Sequence, residues 1–143
     1  MTNIYLDIDG VLLANELNPA KYSDEFIKHV LTKYPESTYW LTTHCRQKEN
    51  YTVQLLSRFF KGKTLELIKK IKPTEWNTLK TEAIDFSIPF LWFDDDLYDG
   101  EKQILIKHNV LDNWIEVNLD KDENHLAKFI ASFPIPTQEI KNR

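Results

Sequence analysis

Cysteine is almost missing from this chain: Cys45 stands alone among 143 residues. No internal disulfide can form, which suits a reducing compartment and predicts a cytoplasmic protein. Long apolar runs are missing too. No stretch approaches the roughly 20 residues of a membrane span, and Met1 to Asn3 lead into the first strand without a charged or apolar leader, so neither secretion nor a membrane partner is expected. There is no basic excess, the net charge being −4, and so no overall field of the kind that marks many nucleic-acid binders. Repeats, low-complexity segments and linkers are absent as well. At 143 residues and 42% hydrophobic, the chain suits one domain with a sizeable core. That domain is expected over 1–133, with a polar tail over 134–143 after Pro134 and Pro136.

What is present is a repeated switch of hydrophobic period. Strands are predicted at 3–8, 38–42, 90–93 and 114–117, and helices at 23–33, about 48–60, 75–86, 99–108 and 122–133. Residues 64–68, "TLELI", read equally as a third strand or a short helix. The run "FLWF" at 90–93 is too apolar for a one-sided sheet and should lie mid-sheet with both faces covered. Strands alternating with helices predict an α/β fold, a mostly parallel sheet sandwiched in three Rossmann-like layers.

The stretch "YLDIDGVLL", 5–13, breaks this apolar logic. Asp7 and Asp9 sit at the end of a buried strand, on one side of it by the period of two, with Ile8 turned away. Gly10 supplies the backbone freedom for a sharp exit and lets a ligand come close. In such folds ligands bind at the carboxyl ends of the strands, where Thr42 and the run Asp94, Asp95, Asp96 are also expected. Five carboxylates on one edge repel one another, and a cation resolves that. Oxygen-only ligands favour Mg²⁺. Asp94 and Asp95 are preferred over Asp96 as ligands, and Thr42 over Thr43 as the hydroxyl that faces the crevice. His44 and Arg46, on the loop after the second strand, stand equally for substrate contact and for plain surface. Cys45 is expected to be an incidental thiol, because a neighbouring histidine rarely points at it usefully.

The motifs "DIDGV", "WLTT", Lys80 within "LKTEAI", and "LWFDDD" stand in the order of the haloacid dehalogenase superfamily of phosphotransferases, which the chain resembles from residue 3 to about 117. "WLTT" with "LWFDDD" is also similar to small members found as domains in bacterial RNA-repair proteins. The resemblance implies a Mg²⁺-dependent phosphatase. Asp7 would be the nucleophile that forms an aspartyl phosphate, and Asp9 the general acid and then base. The metal would be held by Asp7, the Asp9 carbonyl, Asp94 and Asp95, and the phosphoryl oxygens by Thr42 and Lys80, with Gly10 and Thr43 beside them. Only about a dozen residues separate Gly10 from the helix at Ser23, which leaves no room for a cap domain. The capless form implies an open site and a large substrate, such as a phosphorylated nucleic-acid end or a phosphoprotein. Lysines of "KGKTLELIKKIK", 61–72, above all Lys69, Lys70 and Lys72, are expected to line its rim. Two other classes remain: a receiver-like signalling domain that carries phosphoaspartate, and a non-catalytic binding module on the same fold.

Overall fold

Every strand of the sheet runs the same way, which brings all the carboxyl ends to one edge. The computed structural model describes residues 1–48 and 50–141. Strands β1 (Asn3–Leu6), β2 (Thr38–Trp40), β3 (Phe90–Asp94) and β4 (Trp114–Glu116) form a parallel sheet in the order β2-β1-β3-β4. The chain is α/β. Leu6 pairs with Phe93, so the next residues, Asp7 and Asp94, leave adjacent central strands side by side.

Alternation along the two central strands sorts their side chains into two cores. Ile4, Leu6, Leu91 and Phe93 face one way and pack with Phe26, Ile27 and Val30 of α1 (Ser23–Lys33). Residues of α2 (Thr52–Leu56), α3 (Gly62–Ile68) and α5 (His125–Ala131) complete that layer. Tyr5, Phe90 and Trp92 face the other way, against Leu105 of α4 (Asp99–Lys107), Trp76 and Ile84. Each such side chain contributes about 1.5–3 kcal/mol on burial. The result is the expected three-layer, Rossmann-like sandwich, with β3 interior and buried at all five positions.

Several elements depart from expectation. Strand β1 ends at Leu6 rather than at 8, because the Ile8 carbonyl accepts from the N–H groups of Val11, Leu12 and Leu13 and turns the chain. The helix expected over 48–60 begins at Thr52, after a 3-10 stretch over Thr43–Lys48, and residue 49 lies outside the described residues. "TLELI" is helical, as part of α3. The helix expected over 75–86 shrinks to one 3-10 turn, Lys80–Ala83, because Leu79 is extended and the Glu82 carboxylate accepts from the N–H groups of Asn77, Thr78 and Leu79 and holds that segment off the helix.

The tail is not loose. Residues Thr137–Lys141 form α6, held by Asn113, whose Oδ1 accepts from Thr137 N at 2.7 Å and whose amide donates to Gln138 at 2.6 Å. Thr2 and Glu139 add a further hydrogen bond. Residues 11–22 form a small flap in which Leu13 bridges Pro19, and no inserted cap domain exists among the described residues.

Candidate active site

Asp7, on the turn out of β1, and Asp94, the last residue of β3, are both buried. Asp95 follows at the surface. One carboxylate oxygen from each of the three lies within 4.8 Å of the others. Gly10 makes this approach possible. Its φ is +79°, and a Cβ there would stand 2.3 Å from Asp95 Oδ2, so both the backbone conformation and the space demand glycine.

Lys80 is inserted between the two buried acids, its Nζ 2.6 Å from Asp94 Oδ2 and 3.3 Å from Asp7 Oδ2. Their charges raise the lysine pKa above its ordinary value against an opposing desolvation, so it remains an ammonium. Asp94 also accepts from Trp92 Nε1 at 3.1 Å and, through Oδ1, from the N–H groups of Asp95 and Asp96. Burial first, and then the Asp7 charge, nevertheless push its carboxyl up to about 9, with Lys80 opposing. Partial desolvation, and then the Asp7 charge, raise Asp95 too, although the residue is exposed. One ammonium among three carboxylates leaves the cluster short of positive charge, and every donor is oxygen, which fits a hard divalent cation. Four N–H donors already occupy the Asp94 oxygens, so Asp7 and Asp95 are the freer ligands.

Asp9 stands past the strand end, its side chain 64% exposed, and its Oδ2 lies 3.0 Å from His44 Nε2. That hydrogen bond holds the Asp9 carboxyl below its usual range and raises His44. The two expected hydroxyls part company. Thr42 is fully buried, its Oγ1 accepting from His44 N at 3.4 Å and its carbonyl from Trp76 Nε1 at 3.2 Å. Thr43 is exposed and lines a cavity of about 420 Å³ with Asp7, Asp9, Lys80, Asp94 and Asp95. Arg46 lines it as well, lying over the Trp76 ring and donating through Nε to the Asn77 carbonyl. Asp96 reaches the same wall.

Cys45 is buried, which pushes its thiol pKa up, and the His44 ring points to Asp9 rather than to it. Lys72, one of the lysines expected on the rim, lies elsewhere. It pairs with Tyr39 at the outer edge of β2 and its Nζ donates to the Glu36 carbonyl, ahead of that strand. Lys69 and Lys70 precede it in a segment parallel to β2, so they sit toward the opposite edge of the sheet from the carboxylates. Trp92, which sequence reasoning places only within the apolar run "FLWF", and Glu101, which it passes over, both serve the site. Trp92 stands two residues before Asp94 and therefore on the same strand face, a spacing that signals the contact. The fully buried Glu101 carboxylate accepts from Lys80 N at 2.8 Å and from Tyr98 N at 3.1 Å.

No family model matches the chain, and no solved structure matches it. Among curated proteins it is similar to a nitric oxide synthase from Anopheles stephensi, at 31% identity over 72 residues. The match covers 46% of this chain and 6% of that protein. The chain thus spans a small fraction of its relative, and the likeness assigns neither a family nor an activity.

Proposed function

We propose that this chain is a phosphoester hydrolase of the haloacid dehalogenase type, working through an aspartyl phosphate on Asp7. The observation that carries this reading is the trio Asp7, Asp94 and Asp95, the first two paired with the Lys80 ammonium, with a separate and exposed carboxylate, Asp9, beside it. The two kinds of environment suit two roles. Asp7 is buried, fixed by Ile8 N at 2.8 Å and neutralised by Lys80, so it is poised to attack phosphorus. Asp9 is exposed and bonded to His44, so it can meet a leaving oxygen and exchange a proton with its neighbour.

An oxygen of Asp7 forms the new bond to phosphorus as the ester P–O bond breaks, and the departing oxygen takes its proton from Asp9, which draws it from His44 across their hydrogen bond. Asp9 then removes a proton from a water that attacks the phosphoaspartate, which frees Asp7 and releases inorganic phosphate. Asp7, Asp94 and Asp95 would hold Mg²⁺, with the Asp9 carbonyl, and the ion would supply positive charge to the phosphoryl oxygens. Thr43 and Arg46, on the cavity wall, are the groups placed to orient the phosphate. Without a covering domain among the described residues, the site favours a phosphate presented by a large substrate.

The test is hydrolysis of aryl phosphates with Mg²⁺ and with excess chelator. Activity should require the metal, and Asp7→Asn should abolish it. Asp9→Asn should slow poor leaving groups by about 100-fold or more and activated esters much less. Full activity in chelator, or in Asp7→Asn, would overturn the reading.

A further inference from the structure

A second and larger cavity, about 760 Å³, opens on the far side of Asp9 and Asp95 from the first. Its walls come from the flap (Leu13 to Leu17), the end of α2 (Leu55 and the nearby Arg58) and the segment 117–120 that follows β4. If Asp9 protonates the leaving oxygen, the leaving group must lie beyond Asp9, and this chamber is the space there. The inference therefore rests on the hydrolase reading.

The chamber has an uneven charge pattern. Among the described residues its acids are Asp9, Glu16, Asp95 and Asp120, and its basic side chains are His44 and Arg58. His44 is engaged with Asp9. The Arg58 guanidinium is exposed and has no hydrogen-bond or ion-pair partner among the described residues. It also borders a shallower hollow that runs past His44, Gln54 and Leu55 to the half-exposed Tyr51. The rest of the wall is mixed, with Leu17, Leu55 and Leu119 alternating with the amides of Asn15 and Asn118. An organic spacer fits such a wall, and an anion has one place in it to put its charge.

We propose that the chamber receives the leaving group of a phosphomonoester that carries a second anionic group, recognised by Arg58. The flanking acids, Glu16 and Asp120, disfavour charge elsewhere along the chamber, so one further anion is selected over a chain of them. A nucleoside bisphosphate and a phosphopeptide with a neighbouring carboxylate share this chemistry.

The experiment compares specificity constants with Mg²⁺ for matched pairs that differ by one anion. The pairs are phenyl phosphate against its para-carboxylate, a nucleoside monophosphate against the 3′,5′-bisphosphate, and a phosphopeptide with Asn against one with Asp beside the phosphoresidue. The additional anion should raise kcat/KM about tenfold. Arg58→Gln should bring that ratio close to one, and Arg58→Lys should restore part of it. The ratio is read within one protein, so partial unfolding or lost metal affects both members alike. The same ratio should be untouched in Lys70→Gln, at the opposite edge of the sheet. Whichever pair shows the largest ratio names the source of the anion. Equal constants within every pair, or a ratio that survives Arg58→Gln, would overturn the inference while leaving the hydrolase reading standing. No turnover of any phosphoester would remove that reading and the inference together.

Discussion

The hydrogen bond between His44 Nε2 and Asp9 Oδ2 joins two partly exposed groups, and it leaves a pH signature with a definite sign. The bond to Asp9 raises the His44 pKa above its ordinary 6.5, and the bond to His44 lowers the Asp9 carboxyl below its ordinary 3.8. A raised histidine contributes stability that is fully present below its unfolded value and is lost as pH climbs through the folded one. A lowered carboxyl contributes stability that is present above its unfolded value and is lost as pH falls through the folded one. The pair therefore stabilises most between roughly pH 4 and 6.5. Solvent screening keeps the effect below about 1 kcal/mol. His44→Ala should cost more stability in urea at pH 5 than at pH 9, and the His44 titration followed by NMR should move down in Asp9→Asn. An equal loss at both pH values would show that His44 acts through packing alone. At this scale the sequence was readable where chemistry contradicts burial: Asp7 and Asp94 stand out because a carboxylate at the end of an apolar strand is costly unless it is used. The choice between Thr42 and Thr43 was not readable. It depends on how the chain turns after Trp40, and the loop there buries the first hydroxyl and exposes the second.

At the scale of elements, the joint that matters is the one between the Lys80–Ala83 turn and α4. Glu101, 2% exposed, accepts from the N–H of Lys80 on one side and of Tyr98 on the other, and so fixes where the turn presents Lys80. Glu101→Ala removes both acceptors and leaves the Lys80 N–H beside a void. Equilibrium unfolding should show a loss of about 2–3 kcal/mol, the usual cost of stranding buried polar groups that met a charge. Glu101→Gln should lose less, because its carbonyl still accepts one of the two. A loss under about 0.5 kcal/mol for the alanine variant would mean that water replaces the carboxylate at no cost. The helix that periodicity predicts over 75–86 fails for the same kind of reason. Trp76, Leu79 and Ala83 have helical spacing, but the Glu82 carboxylate takes the Leu79 N–H that a helix from 75 would give to the Glu75 carbonyl, and Leu79 itself is extended. Where local patterning and packing agree, as in α1, the predicted span and the observed one coincide at Ser23–Lys33. For residues 64–68 alternation and helical spacing tie, and packing of α3 against the apolar face of α1 decides.

The whole molecule brings together carboxylates that the chain holds far apart, and the sheet does so by direction alone: parallel strands β1 and β3, in register from Asn3 and Phe90, must release Asp7 and Asp94 at one edge. A parallel sheet, with its carboxyl ends on one edge, follows from the alternating pattern, which is why that edge was legible, whereas the strand order was not. The second chamber of the site was not legible either, because flap, α2 and the segment after β4 meet only in the folded chain. The assembly stores a conflict, since partial desolvation raises the Asp95 carboxyl and burial with the Asp7 charge raises Asp94, while a single Lys80 answers them. A cation that binds only the folded state should relieve this and add about 2.7 kcal/mol of stability at a concentration 100 times its dissociation constant. For a chain of this length that amounts to a rise of about 5–10 °C in Tm. Asp95→Asn separates the conflict from its relief: it deletes one repelling charge near Gly10 and one free ligand oxygen. Without metal, the variant should melt at or above the wild-type temperature. With Mg²⁺ it should gain little, so the order of the two proteins reverses as the metal is added. Calorimetric melts across a Mg²⁺ titration, with Asp96→Asn as the neighbouring control, read this directly. A wild-type Tm indifferent to Mg²⁺, Mn²⁺ and Ca²⁺ alike would mean that Lys80 and the N–H donors around Asp94 suffice to hold the carboxylates together, and that the cluster is structural.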